Sequence, residues 1–81
     1  MPPTSGQEPA VVIQNGPAIR AIRISQGRTG TEVAATVDLS PGTLANIEAE
    51  RRSTRPETLA RIAESLGVPT TAIERKKRIS P

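Results

Sequence analysis

The sequence predicts an all-α fold, a compact bundle of about five short helices. Three observations predict it. Apolar residues recur at helical spacing along the chain. Proline follows a capping residue, or opens an apolar run, at Pro17, Pro41 and Pro56. Glycine stands where two of the runs stop, at Gly27 and Gly67.

The elements follow in order. Asn15-Gly16-Pro17 reads as a helix start, because Asn or Gly can cap and Pro lacks an N–H that would be unpaired there. A first helix runs from Pro17 to about Gln26, with Ala18, Ile19 and Ile22 as its apolar stripe, Arg20 and Arg23 beside it, and Gly27 ending it. Thr29 caps a second helix that reaches Val37. Glu32 stands in capping-box position, and Val33, Ala34 and Val37 share one face. Asp38 and Leu39 make a tight turn, and Ser40-Pro41 starts a third helix reaching about residue 49. Leu44, Ile47 and also Ala45 are expected inward, leaving Gly42, Thr43 and Asn46 outward. After a polar loop, Pro56 opens a fourth helix with Leu59, Ile62, Ala63 and Leu66 at 3.6 spacing, stopped by Gly67. Pro69 to about Arg75 forms a last short helix anchored by Ile73, and no strand pairing is expected. The β-branched Val11, Val12 and Ile13 are expected to pack onto the first helix.

With 81 residues there is room for one small domain. Seventeen Val, Ile and Leu with ten Ala make a thin aliphatic core. Phe, Trp, Tyr, Cys and His are all absent. That rules out a disulfide, a thiol nucleophile, an aromatic stacking platform and the commonest general base, so an enzyme is not expected and no cofactor or metal is implied. No apolar run approaches the roughly 20 residues that span a bilayer, and the first residues lack the pattern of a signal peptide, so a cytoplasmic location without membrane contact is expected. Residues 1–12, rich in Pro, read as a flexible N-terminal tail, 13–74 as the domain, and 75–81 as a basic C-terminal tail. The net charge of +3 depends on that last segment. Without Arg75, Lys76, Lys77 and Arg78, seven basic residues face eight acidic ones, or −1.

Two short helices joined by a tight turn, at 29–37 and 40–49, make a helix-turn-helix unit. In such a unit the second helix can lie in the major groove of DNA with its first residues at base edges, while the first offers N–H groups to phosphate. The small Ala34 stands where the two must approach, and Leu39 plugs the turn. Asn46, on the outward side of the reading helix, could bond N7 and N6 of adenine or remain a solvated residue.

Ile19-Arg20-Ala21-Ile22-Arg23, Glu32-Val33-Ala34, Leu39-Ser40, Thr43-Leu44, Ile47-Glu48, Pro56-Glu57-Thr58-Leu59, Ile62-Ala63 and Leu66-Gly67-Val68 occur in the order seen in a known family. In these residues the chain resembles the lambda-repressor-like, Cro-type helix-turn-helix (XRE) regulators of bacteria and phages, from about Ile13 to Ile73. The resemblance implies an ion pair between Glu48 and Arg23, since a lone carboxylate on an inward face would be costly. It implies DNA contacts for Thr29, Gly30, Ser40, Pro41, Gly42, Thr43 and Asn46, and phosphate contacts for Arg51, Arg52 and Arg55. Four positions depart from the family's pattern. Gly30 replaces a common Gln, Pro41 and Gly42 replace long polar residues, and Arg28 replaces an apolar one and so loses a core contact or adds a phosphate contact. Arg20 and Arg61 are expected to be solvated or paired, Arg61 with Glu57.

The function implied is a sequence-specific regulator of transcription that binds double-stranded DNA, a repressor of phage or mobile-element type. It would act as a homodimer at least on DNA, and no small-molecule effector is evident. The alternative is an antitoxin or protein-binding adaptor on the same fold, with weak or autoregulatory DNA binding. The near-neutral domain and the Pro41-Gly42 pair speak for that alternative.

Overall fold

Each helix of the computed structural model, which describes residues 10–78, begins and ends on a local chemical signal. Helix α1 spans Gly16–Ser25, with the Asn15 side chain accepting the Ala18 N–H at 3.1 Å. Helix α2 spans Gly30–Thr36 and carries a complete capping box: Thr29 Oγ1 accepts the Glu32 N–H, and Glu32 accepts the Thr29 N–H at 2.7 Å. Helix α3 spans Pro41–Glu48, capped by Ser40, and α4 spans Pro56–Leu66.

All four end in the same way. Gly27, Asp38, Glu50 and Gly67 each take φ between 59° and 71°. In each case the next residue's N–H reaches back to the carbonyl five residues earlier, as Leu39 does to Ala34 at 2.9 Å and Arg51 to Asn46 at 2.8 Å. This closure satisfies carbonyls that a helix end leaves open. Two of the four positions are not glycine, and the turn between α2 and α3 is one of them.

The core is aliphatic. Ile19, Val33, Ala34, Val37, Leu44, Ile47, Leu59, Ile62, Ala63, Leu66 and Ile73 are buried, with Ile22, Leu39 and Val68 packed at its margin. Ala18 is only half-buried, and Ala45 is exposed rather than inward: Leu44 and Ile47 define the buried side of α3, and residue 45 falls opposite. Helix α3 packs against α1 and α2, and α4 against α2. Gln26 Nε2 donates to the Leu66 carbonyl at 2.7 Å, and Arg28 Nη1 to the Ser65 carbonyl at 2.6 Å. Both close the C-terminal end of α4, where a cation is favoured. Among the described residues no helix is long and apolar enough to cross a membrane.

The expectation of no strands is overturned. Strand β1 (Ala10–Gln14) pairs antiparallel with β2 (Glu74–Arg78), in a register running from Ala10 opposite Arg78 to Gln14 opposite Glu74. Thus Val11, Val12 and Ile13 join a ribbon instead of lying on α1. The last helix is shorter than expected, a 3-10 turn at Thr70–Ile73 that passes straight into β2. The ribbon takes in residues 10–12 and 75–78, which the sequence predicts to be tail; residues 1–9 and 79–81 lie outside the described residues. It is tied to the bundle at its base. The Asn15 N–H donates to the Ile73 carbonyl at 2.8 Å, and the buried Gln14 side chain donates to the Arg52 carbonyl at 2.6 Å.

Candidate nucleic-acid interface

The two ends of α3 are held by different means. At its start, the Ser40 hydroxyl accepts the Thr43 N–H at 3.1 Å and donates to Thr43 Oγ1 at 2.9 Å. Pro at the first helical position removes one N–H that would have no partner. Near its end, Arg23 Nε and Nη2 donate to the two Glu48 oxygens at 2.8 and 2.9 Å. The hydrogen bonds that Arg23 donates to Glu48 hold its guanidinium above its ordinary pKa, against the opposing effect of burial and with Coulomb attraction added. Arg23 Nη1 also donates to the Arg28 carbonyl at 3.0 Å, so one side chain joins α1, the loop before α2 and α3.

What α3 turns outward is small. Pro41, Gly42 and Ala45 are exposed along one strip, while Thr43 and Asn46 sit half-buried at its edges. Around Gly42 there is open space, with no atom within 4 Å of where a Cβ would stand. The Asn46 Oδ1 accepts Arg51 Nη1 at 3.4 Å, bringing the amide and the first loop guanidinium together.

Arg51 and Arg52 line a hollow with Ser53, Glu50, Arg75 and the base of the ribbon, while Arg52 and Arg55 line a second with Thr43 and Thr58. The three loop arginines thus flank α3, and all three are exposed. Thr29 and Gly30 stand apart, at the start of α2. Their link to α3 is indirect: a Cβ on Gly30 would lie 3.9 Å from Arg23 Cζ, and Arg23 in turn holds Glu48. Arg28 is not a free cation, since its Nη1 and Nη2 bind the carbonyl and hydroxyl of Ser65. Arg20 and Arg61 are exposed, the solvated one of the two expected alternatives, and Arg61 makes no ion pair with Glu57.

Two contributors escaped the sequence reading. Ala45 lies on the exposed strip, four residues after Pro41 and three after Gly42, and that spacing was its available signal. Glu50 accepts the Gly16 N–H at 2.8 Å and pairs with Arg75, tying the end of α3 to α1 and β2. No local signal marks that role.

Comparison with known proteins places the architecture. The helix-turn-helix family model HTH_3 matches residues 19–79. A crystal structure of the clp gene regulator ClgR from Corynebacterium glutamicum is 34% identical with a TM-score of 0.67, over 69% of this chain and 73% of that one. In a second ClgR structure the match covers 60% of that chain. The restriction-modification controller protein C.AhdI from Aeromonas hydrophila shares the fold at 18% identity and a TM-score of 0.68, over 70% of this chain and 86% of that one. No curated protein sequence matches the chain significantly. The chain therefore belongs to the lambda-repressor-like, Cro-type helix-turn-helix (XRE) family of DNA-binding transcriptional regulators.

Proposed function

We propose that the protein is a sequence-specific repressor, of phage or mobile-element type, which occupies an operator by placing α3 in the major groove. It acts in the cytoplasm, and blocking a promoter in this way requires no catalysis. The observation that carries the reading is the exposed strip of α3, Pro41-Gly42 and Ala45, with Asn46 at its edge and Arg51, Arg52 and Arg55 flanking it. Pro41 and Ala45 offer methylene and methyl surface to thymine methyl groups, Gly42 lets the backbone come close, and Asn46 can read adenine. Ser40, Thr43, Thr29 and Gly30 contact phosphate through hydroxyl or backbone N–H groups, and the loop arginines contact it through charge. So small a module makes few contacts, so two copies bind a two-fold site with half-sites about one helical turn apart.

Selection of bound sites from a random duplex pool tests this directly. A two-fold consensus is expected. Asn46→Ala should relax preference at one base per half-site, whereas Arg51→Ala should weaken all sites alike. Recovery of no preferred sequence, with binding that is weak and insensitive to salt, would favour the adaptor reading instead.

A further inference from the structure

Taken without residues 75–78, the chain carries a net charge of −1, an unpromising balance for a protein whose partner is a polyanion. The helical body spends cations internally as well, Arg23 on Glu48 and Arg28 on Ser65. The missing positive charge is concentrated in one strand. Arg75, Lys76, Lys77 and Arg78 follow one another in β2, and the structure makes that run a paired element beside the loop after α3 rather than a loose end.

We infer that the β1–β2 ribbon is a second DNA-backbone contact, in which the cations of β2 bind phosphates flanking those reached by the α3 loop. Three observations carry it. Arg75 and Arg51 line the same hollow, so the cations of β2 begin beside those of the α3 loop, with Glu50 between them. Glu50 fixes this junction by holding Arg75 with one oxygen and the Gly16 N–H with the other. Arg75 and Lys76 are exposed, with Arg75 keeping 47% of its side chain accessible despite its partner. Lysine and arginine on an edge strand also discourage pairing with a further strand, so β2 is better suited to an anion than to another chain. Because a backbone contact reads no bases, the ribbon supplies affinity and salt dependence while α3 supplies preference.

This inference rests on DNA being the partner of α3, and the test keeps the two apart. Binding of the full chain to its selected site and to unrelated duplex is measured across a NaCl series, for wild type, for combined Lys76→Gln, Lys77→Gln and Arg78→Gln, and for combined Lys76→Arg and Lys77→Arg. Sedimentation and circular dichroism accompany each protein. The neutral variant should lose about 0.9 from the slope of log K against log salt for each phosphate contact removed, and at least one such step, while its ranking of sequences is unchanged. The charge-preserving variant should keep the wild-type slope, which ties the loss to charge and not to side-chain identity, and matching circular dichroism spectra show that the neutral variant keeps its fold. An unchanged slope in the neutral variant overturns the inference, as does a slope change explained by altered self-association. If wild type shows no sequence preference yet the slope loss appears, the operator reading fails and the ribbon's phosphate contact stands.

Discussion

The Glu50 carboxylate accepts the Gly16 backbone N–H at 2.8 Å from a residue whose own backbone is left-handed, at φ 59°. Glycine would sit there more easily, but glycine would leave the N-terminal N–H of α1 without this partner and Arg75 without its anion. The two costs can be separated. Glu50→Ala should lower stability more than Glu50→Gly does, by about 1 kcal/mol, because both lose the carboxylate but only alanine keeps the left-handed strain. Urea denaturation of both variants checks this. Equal losses would mean that the backbone relaxes at residue 50.

Arg23 and Glu48 hold α1 to α3 with little solvent, their side chains 13% and 9% exposed. Removing one partner leaves the other charge poorly hydrated. Arg23→Met or Glu48→Leu alone should each cost about 3 kcal/mol, and the double variant Arg23→Met with Glu48→Leu should recover most of the loss. Thermal melts of the four proteins form the cycle that measures it.

Glu32 supplies a pH dependence whose sign is fixed. Its hydrogen bond to the Thr29 N–H holds its carboxylate below the ordinary value of 4.5. A carboxylate depressed in the folded state contributes stability above its unfolded pKa and loses it as pH falls through the folded one. Glu32→Gln should therefore flatten the acid side of the stability profile below about pH 4.5 and leave the neutral-to-alkaline side parallel to wild type. Thr29→Ala, which removes the other half of the box, should cost about 1 kcal/mol. Titrating the midpoint of urea unfolding against pH checks both.

Gly16 shows what distinguishes legible from illegible features in this chain. As a helix-start signal it could be read from Asn15 and Pro17, but its physical constraint is a contact with residue 48. A Cβ there would stand 2.2 Å from the Glu48 carbonyl oxygen. Gly16→Ala should force α1 away from α3 and cost about 2 kcal/mol or more, measurable as a lowered melting temperature. Apart from the Arg23–Glu48 pair, 25 residues apart and implied only by the family resemblance, the features that could be read are those whose cause lies within four residues. They include the caps at Asn15, Thr29 and Ser40, the stop at Gly67, and the 3.6 spacing of Leu59, Ile62 and Leu66. The ribbon could not be read, because β1 and β2 meet across some 60 residues and Glu-Arg-Lys-Lys-Arg has little intrinsic preference for a strand. Arg28 could be recognised as out of place in an apolar position, but not its partner at Ser65, 37 residues away. At the candidate site, the extent of α3 followed from Ser40-Pro41. The exposure of Ala45 did not, since alanine is found on either side of a helix.

Gly42 sets stability against function in a single substitution. It sits in α3 with open space around it and ordinary helical backbone, so a methyl group meets no steric penalty. Alanine also loses less chain entropy on folding than glycine, so Gly42→Ala should stabilise the protein by about 0.5 kcal/mol. In the groove the same methyl group would stand between the α3 backbone and the base edges. The variant should then bind its selected site about tenfold more weakly while unrelated duplex is bound as before, since a loss of roughly 1.4 kcal/mol from one displaced contact corresponds to that factor. Melting temperature and a binding titration on the two duplexes read the opposing shifts. A variant that melts higher and binds its selected site unchanged would place Gly42 away from the groove floor, and the start of α3 would no longer be the part that reads sequence.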